Sequence, residues 1–407
     1  MTPPTDAPPA APAGDRMAGP SSDRAAIRGR RLWPLPKQAD PAAPLLEVEN
    51  LTVHFALPHG RVEAVRGVNF GLDDGEALGI AGESGCGKTT TALSLVRLLP
   101  SNGRIVEGSV KLFGIDLVQK NDRQLQRYRW REIAMVFQGA MNALNPVIRV
   151  RDQIAEPVGL RLGVTRDAAR ARAGELLELV GIPRKRGVAY PHELSGGMRQ
   201  RAMIAMALAC DPALVLGDEP TTALDVMVQA QILELLENLR HELGLSLVLI
   251  THDLSVIAET CDRVLVMYAG KVAEEGPVHR VFTAPRHPYT QKLLSSFPNI
   301  RADRRTLDVI PGMPPDLRHP PVGCPFAPRC PAVMAVCTEV MPPEVHFADG
   351  ARVACHLYPP EAEGRFVAPV PVAEPLPLDA APAPDAGPPA GAGSPAAHPE
   401  AFSERAP

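Results

Sequence analysis

Nowhere in the 407 residues does an unbroken apolar run reach the roughly 20 residues that a membrane-crossing helix requires. The opening stretch "MTPPTDAPPAAPAGDR" has no basic segment followed by an apolar one, so it does not read as a secretory signal. Net charge is only −4, which excludes a polyanion binder by bulk charge and leaves no basic face for nucleic acid evident in the composition. No internal repeat is visible. With neither feature visible, the chain is expected to be cytosolic, where thiols stay reduced. Four of the seven cysteines fall between residues 324 and 355. No two of them have the roughly two to four intervening residues usual in structural zinc sites.

Proline, by contrast, is abundant, with 45 residues concentrated toward the ends. Residues 1–44 and 359–407 are rich in Pro and Ala and are expected to be disordered tails, because they cannot bury enough apolar surface to offset the entropy of ordering. Between them periodicity returns. "LLEVENLTVHF" (45–55) and "RVEAVRGVNFGL" (61–72) alternate like strands, and "EALGIAG", "SLVLITHD" and "DRVLVMYAG" are strand-like too. Helical spacing marks 168–182, 198–210 and 226–244. Strands alternating with helices predict an α/β fold with a largely parallel sheet.

One stretch carries specific chemistry. "GESGCGKTT" (82–90) fits G-x-x-x-x-G-K-[ST], with an apolar strand before it and a helical pattern after it. Gly82, Gly85 and Gly87 would let the backbone turn its N–H groups toward phosphate oxygens, aided by the dipole of the following helix. Lys88 would reach the β- and γ-phosphates and the Thr89 hydroxyl would ligate Mg2+. Glu83, Ser84, Cys86 and Thr90 complete the expected ATP-binding loop. Cys86 reads as a filler position, open to alkylation if exposed. A second stretch, "PALVLGDEP" (212–220), ends an apolar strand in two carboxylates. Asp218 would hold Mg2+, and Glu219 would polarise the attacking water.

Further motifs narrow the reading. "ELSGGMRQR" (193–201) contains LSGGxxQR, and on it the chain resembles ATP-binding cassette (ABC) ATPases. The resemblance implies an ABC-type P-loop NTPase nucleotide-binding domain over 45–283, with a helical signature subdomain at about 138–210. It implies that Ser195, Gly196, Gly197 and Gln200 act in trans, closing on ATP held by a second ATPase subunit, identical or paralogous, in a head-to-tail dimer. "VFQGAMNALNP" makes Gln138 the Q-loop glutamine, near Mg2+ and the membrane partner. "TALDV" makes Asp225 the D-loop aspartate. "ITHDL" makes His252 the switch histidine, catalytic with Glu219 and Gln138. Phe55 falls where the family stacks an aromatic ring on adenine.

"APRHPYTQKLL" (284–294) and "IPGMPPDLRHPPVGCPFAPRC" (310–330) resemble the C-terminal extension of oligopeptide, dipeptide and nickel importer ATPases, expected over 284–358. This likeness implies integral-membrane permease subunits, an extracytoplasmic substrate-binding protein, and peripheral attachment to the cytoplasmic face of the membrane. Peptide is the expected cargo, with nickel, opines or sugars as alternatives. A soluble ABC ATPase acting on nucleic acid or ribosomes is the rival of another class. One phosphate loop and one signature in the chain argue against it. Cys324, Cys330, Cys337 and Cys355 are separated by 5, 6 and 17 residues. That spacing suits a four-thiolate iron–sulfur cluster, and some members of the resembled group carry [4Fe–4S] at this motif. His356 beside Cys355 keeps a mixed Zn2+ site open.

Overall fold

A computed structural model describes residues 38–139, 143–222, 224–296 and 310–365, together with Pro36, Val367 and Val370. Its first strands, β1 (Leu46–Ala56) and β2 (Arg61–Leu72), alternate buried and exposed positions. They pair antiparallel, and with β4 (Gly103–Leu112) and β5 (Ile115–Asp116) form a four-stranded sheet ordered β2-β1-β4-β5. The strands expected at 45–55 and 61–72 are β1 and β2, and they lie outside the largely parallel sheet. Their alternation, with one face covered, is the mark of an antiparallel layer instead.

The parallel core uses strands of a different character. β3 (Ala77–Ala81), β7 (Leu214–Asp218) and β8 (Ser246–Ile250) are buried at every position, as parallel strands covered on both faces must be. With β6 (Ile133–Val136) and β9 (Arg263–Tyr268) they run parallel in the order β9-β3-β8-β7-β6. Register then decides what meets at their ends. Ile80 pairs with Ile250, Asp218 with Ile250, and Val136 with Gly217. Residues that follow these strands are neighbours however far apart they lie in the chain, and this edge is where α/β sheets bind ligands.

Helices pack on this frame. α1 (Lys88–Leu95) follows β3 directly, and α2 (Asp122–Leu125) is one turn closed by a capping box from Asn121 and Gln124. α3 (Val150–Leu162), α4 (Arg166–Leu179) and α5 (Gly196–Ala207) form a helical insert between β6 and β7. α6 (Val226–Leu243) and α7 (Leu254–Thr260) flank β8 in the chain. Thr165, Ser195, Asp225 and Asp253 accept backbone N–H groups at the starts of α4 to α7, the usual N-cap chemistry. The predicted helices at 168–182, 198–210 and 226–244 are α4, α5 and α6. α3 had no sequence signal, because Pro157 and Gly159 interrupt its periodicity.

The extension is not a separate layer. β10 (Lys271–Pro277) pairs antiparallel with β9 and then with β12 (Arg352–Ala354), and β11 (Glu344–His346) closes that edge. The helices α8 (Val278–Thr283), α9 (Pro288–Ser295) and α10 (Ala335–Glu339) belong to this segment. Tyr289, Ile310 and Phe326 are buried in the same apolar core as Val215, Leu249 and Val266. The segments expected to be disordered fall largely outside the described residues. Their inner margins join the fold: Asp40 N–H donates to Phe113 O at 3.0 Å, and Gly364 N–H to His346 O at 2.8 Å. Among the described residues no helix is long and apolar enough to cross a membrane.

Candidate nucleotide site

The turn from β3 into α1 is built by glycine. Gly82 has φ 144°, Gly85 79° and Gly87 106°. A Cβ on Gly82 would lie 2.2 Å from Met267 O, and one on Gly87 2.5 Å from Ala64 O, so both positions need glycine for space as well as for φ. Lys88 is buried, and its Nζ donates to Gly82 O at 2.7 Å and Glu83 O at 3.0 Å. Its charge is thus held at the mouth of the loop. A cavity of about 380 Å³ opens there, lined by Ser84, Gly85, Gly87, Lys88, Thr89 and Thr90 of the loop, by Ala64, and by Gln138, Glu219 and His252 from other strand ends.

The carboxylate pair at the end of β7 faces that loop. Thr89 Oγ1 donates to Asp218 Oδ1 at 3.2 Å. Burial, with the Glu219 charge beside it, pushes the Asp218 carboxyl above its ordinary range, against the pull of Thr89 and Lys88. A hydroxyl beside a carboxylate is the oxygen donor set of a hard divalent cation, so these two residues fit Mg2+. Glu219 is differently held. Burial raises its pKa, but hydrogen bonds from Thr222 and His252, and that from Gln138, outweigh it and leave the carboxyl below its usual value. Gln138 Nε2 donates to Oε2 at 2.7 Å, Thr222 Oγ1 donates to the same oxygen at 2.9 Å, and His252 Nδ1 lies 3.2 Å from Oε1. Its backbone sits at φ 47°, a left-handed conformation that costs energy in a non-glycine residue. Thr222 had not been singled out from sequence, though it lies one turn after Glu219 in "EPTT".

Other expected residues stand elsewhere. The Glu83 carboxylate turns away from the cavity. Cys86 is buried rather than exposed, 3.8 Å from Lys88 Nζ, and burial pushes its thiol pKa up. Its side chain packs inside the loop and does not line the cavity. Phe55 is half-buried on β1 over Gly103, on the antiparallel sheet, and does not line the cavity. Ser195, Gly196, Gly197, Gln200 and Asp225 lie outside it as well. Gly197 packs on Val228, where a Cβ would approach to 2.7 Å, so the starts of α5 and α6 touch. Gln200 is buried, and its Nε2 has no hydrogen-bond partner within the described residues.

Sequence reasoning missed a set of residues from the extension that reaches the loop. The Arg329 guanidinium forms a bidentate pair with Glu83, 2.6 Å to Oε2 and 2.9 Å to Oε1. It also donates to Tyr268 OH at 3.1 Å and Pro311 O at 2.8 Å. Glu83 N–H donates to Tyr289 OH at 2.8 Å. Tyr268, Tyr289 and Phe326 pack ring against ring, with centroids 4.6 to 5.4 Å apart. The signal was present: Tyr289 lies in "HPYT", and Arg329 immediately precedes Cys330.

The four cysteines converge. Cys324 N–H donates to Cys337 O at 2.7 Å, and Cys355 feels the charges of the other three. Burial pushes the Cys324 thiol up, Cys330 to about 11 and Cys355 to about 12, with the neighbouring cysteines adding to the rise. Neutral thiols then pack as small apolar groups, and Cys324 and Cys330 lie against the main core. Among the described residues no group of three or more His, Cys, Asp or Glu is placed to hold a metal ion, so the expected metal centre finds no preformed geometry. His356 bonds Val340 O through Nε2 at 2.9 Å.

Residues 65–222 match the ABC transporter family, and residues 273–337 match the family described as oligopeptide/dipeptide transporter, C-terminal region. A probable peptide ABC transporter ATP-binding protein of Sinorhizobium fredii is 50% identical over 323 residues, 78% of this chain and 96% of that one. A dipeptide transport ATP-binding protein of Bacillus subtilis is 47% identical over 322 residues, 78% and 96% of the two chains. An oligopeptide transport ATP-binding protein of Escherichia coli is 47% identical, covering 79% and 95%. Among solved structures, a dimeric post-hydrolysis state of an ATP-binding cassette bound to ADP and Pi superposes with a TM-score of 0.52 at 30% identity, over 57% of this chain and 98% of that one. The chain belongs to the ATP-binding proteins of ABC transporters, in the oligopeptide/dipeptide group.

Proposed function

We propose that this chain hydrolyses ATP to power a membrane importer of dipeptides and oligopeptides. The observation that carries the reading is the single cavity in which Lys88 and Thr89 of the phosphate loop face Glu219, itself held by Gln138 and His252. The loop N–H groups and Lys88 bind the β- and γ-phosphates. Glu219 accepts a proton from the water that attacks the γ-phosphorus, the P–O bond to the β-phosphate breaks, and ADP leaves. Gln138 and Thr222 fix one carboxylate oxygen, leaving Oε1, beside His252, to face the water. Thr89 and Asp218 would hold Mg2+, which neutralises phosphate charge when bound; Gln138 stands in the same cavity.

The signature residues Ser195, Gly196, Gly197 and Gln200 close on the nucleotide of a second ATPase subunit in a head-to-tail dimer. Their distance from this chain's own cavity supports that role. So do Val226 and Met227 beside Asp225, which are 78% and 72% exposed. Permease subunits and an extracytoplasmic binding protein complete the complex, and the chain sits on the cytoplasmic face of the membrane. The peptide cargo is inferred from relatives 47 to 50% identical that are named for peptides.

The four cysteines are assigned to a [4Fe–4S] cluster. A single zinc ion would need every sulfur at about 2.3 Å. A cluster is larger, and each thiolate binds its own iron. Four neighbouring thiols, Cys337 and Cys355 buried and Cys324 and Cys330 partly buried, supply that donor set, and the centre would cross-link a proline-rich segment. Copurification of an integral-membrane partner, and uptake of labelled peptide by the complex, test the transport reading. Uptake that persists without this chain's ATPase activity would overturn it. A colourless, zinc-containing protein from anaerobic purification would overturn the cluster.

A further inference from the structure

Arg329 is 5% exposed, and its charge is spent entirely inside the protein. It comes from the cysteine-rich segment, one residue before Cys330, and its partner Glu83 is the second residue of the phosphate loop, 246 positions earlier. Fork-to-fork pairing fixes the direction of the carboxylate as well as its position. Residue 83 is held at two further points. Its N–H is tied to Tyr289 OH, and its carbonyl accepts Lys88 Nζ at 3.0 Å. Gly82 before it and Gly85 after it have positive φ, so without such anchors this stretch has wide conformational freedom. The Glu83 carbonyl also accepts the Cys86 N–H at 3.3 Å, so the anchored residue sets the course of the loop through Ser84, Gly85 and Gly87, which line the cavity.

We propose that Arg329 is a positioning residue for the nucleotide: from the cysteine-rich segment it clamps Glu83 and so holds the phosphate loop in the shape that receives the triphosphate. This rests on the ATP-site reading above and deepens it, because it makes the extension part of the ATP site. Arg329 touches neither Glu219, Gln138 nor His252, so its loss should weaken nucleotide binding rather than the chemical step. Lysine at this position keeps the charge but loses the fork, and should restore only part of the effect.

The test uses the full chain. ATP affinity with Mg2+ is measured by calorimetry and ATPase kinetics in parallel, with thermal melting as a check on folding. Arg329→Met and Glu83→Gln should each raise Kd and KM on the order of tenfold, with kcat little changed. Arg329→Lys should fall between these and wild type. The double variant E83Q/R329M should be no weaker than R329M alone, as expected for one shared interaction. Glu83→Gln removes no buried side chain and keeps the test decisive if R329M fails to fold. If E83Q and any folded Arg329 variant bind ATP with wild-type Kd, or lose kcat with KM unmoved, the positioning role is wrong while the ATPase reading stands. A wild-type chain that neither binds nor hydrolyses ATP would instead overturn that reading, and the positioning role with it.

Discussion

Gln138 and Glu219, 81 residues apart in the chain, meet through a 2.7 Å hydrogen bond from Nε2 to Oε2. They meet because β6 and β7 run side by side in register and each residue follows its strand. The bond withholds one carboxylate oxygen from the cavity and helps keep Glu219 ionised, in the state a proton acceptor needs. Glu219→Gln should retain ATP binding and lose roughly 10²- to 10⁴-fold in kcat, the usual range for a general base. Steady-state hydrolysis beside equilibrium ATP binding checks this, and size-exclusion chromatography with ATP should find the variant trapped as a dimer. Normal turnover would remove Glu219 from the mechanism.

The loop glycines should not tolerate alanine equally. A Cβ on Gly82 meets the Met267 carbonyl at 2.2 Å, backbone that cannot swing aside, whereas one on Gly85 meets nothing within 4 Å. Gly85→Ala should cost only the left-handed backbone penalty, about 1–2 kcal/mol. Gly82→Ala should abolish ATP binding or folding. Denaturant melts and ATP titrations of the two variants separate these outcomes, and equal losses would contradict the loop geometry.

Cys86 sits in the most nucleophile-friendly sequence of the chain, a helix start beside a lysine, yet it is buried and its thiol is pushed up by desolvation. It should react with iodoacetamide far more slowly in the native protein than in denaturant. Mass mapping of the labelled peptide reads this directly, and rapid native labelling would mean the loop opens.

Where the physics was local, the site was legible in the sequence. The order strand, glycine loop, lysine and helix dictates its own backbone, so residues 82–90 could be placed without the fold. The same holds for "LGDEP" at the end of a wholly apolar strand. Pairings set by topology were not legible. Nothing in the spacing of Glu83 and Arg329 announces a contact, because it depends on β10 to β12 extending the main sheet. β11 and β12 are three residues each, too short for alternation to register. Pro157 concealed α3. Cysteine spacing named a donor set, but spacing cannot say how closely four sulfurs approach.

His287, which opens α9, should reveal an opposing pair of titrations. Burial holds its pKa down at about 4, from an ordinary 6.5, and its Nδ1 accepts Tyr289 N–H at 3.0 Å while the ring also bonds the Ala354 backbone. Its folded form is therefore neutral, and the stability this contributes is present above pH 6.5 and lost as pH falls toward 4. Glu274, which accepts the N–H groups of Arg286 and His287, is pushed up by burial to about 7 from 4.5. Its contribution has the opposite sign, present below pH 4.5 and lost as pH rises through 7. Each displacement corresponds to about 3 kcal/mol, so between these limits the two nearly cancel. His287→Asn keeps an acceptor for the helix N-terminus and removes one of the pair. The variant should lose stability relative to wild type progressively, by about 2–3 kcal/mol, as pH rises from 4.5 to 6.5. Urea unfolding at several pH values measures the difference. Any constant cost of the substitution drops out of that slope, and a difference that does not change with pH would mean His287 is not held neutral by its burial.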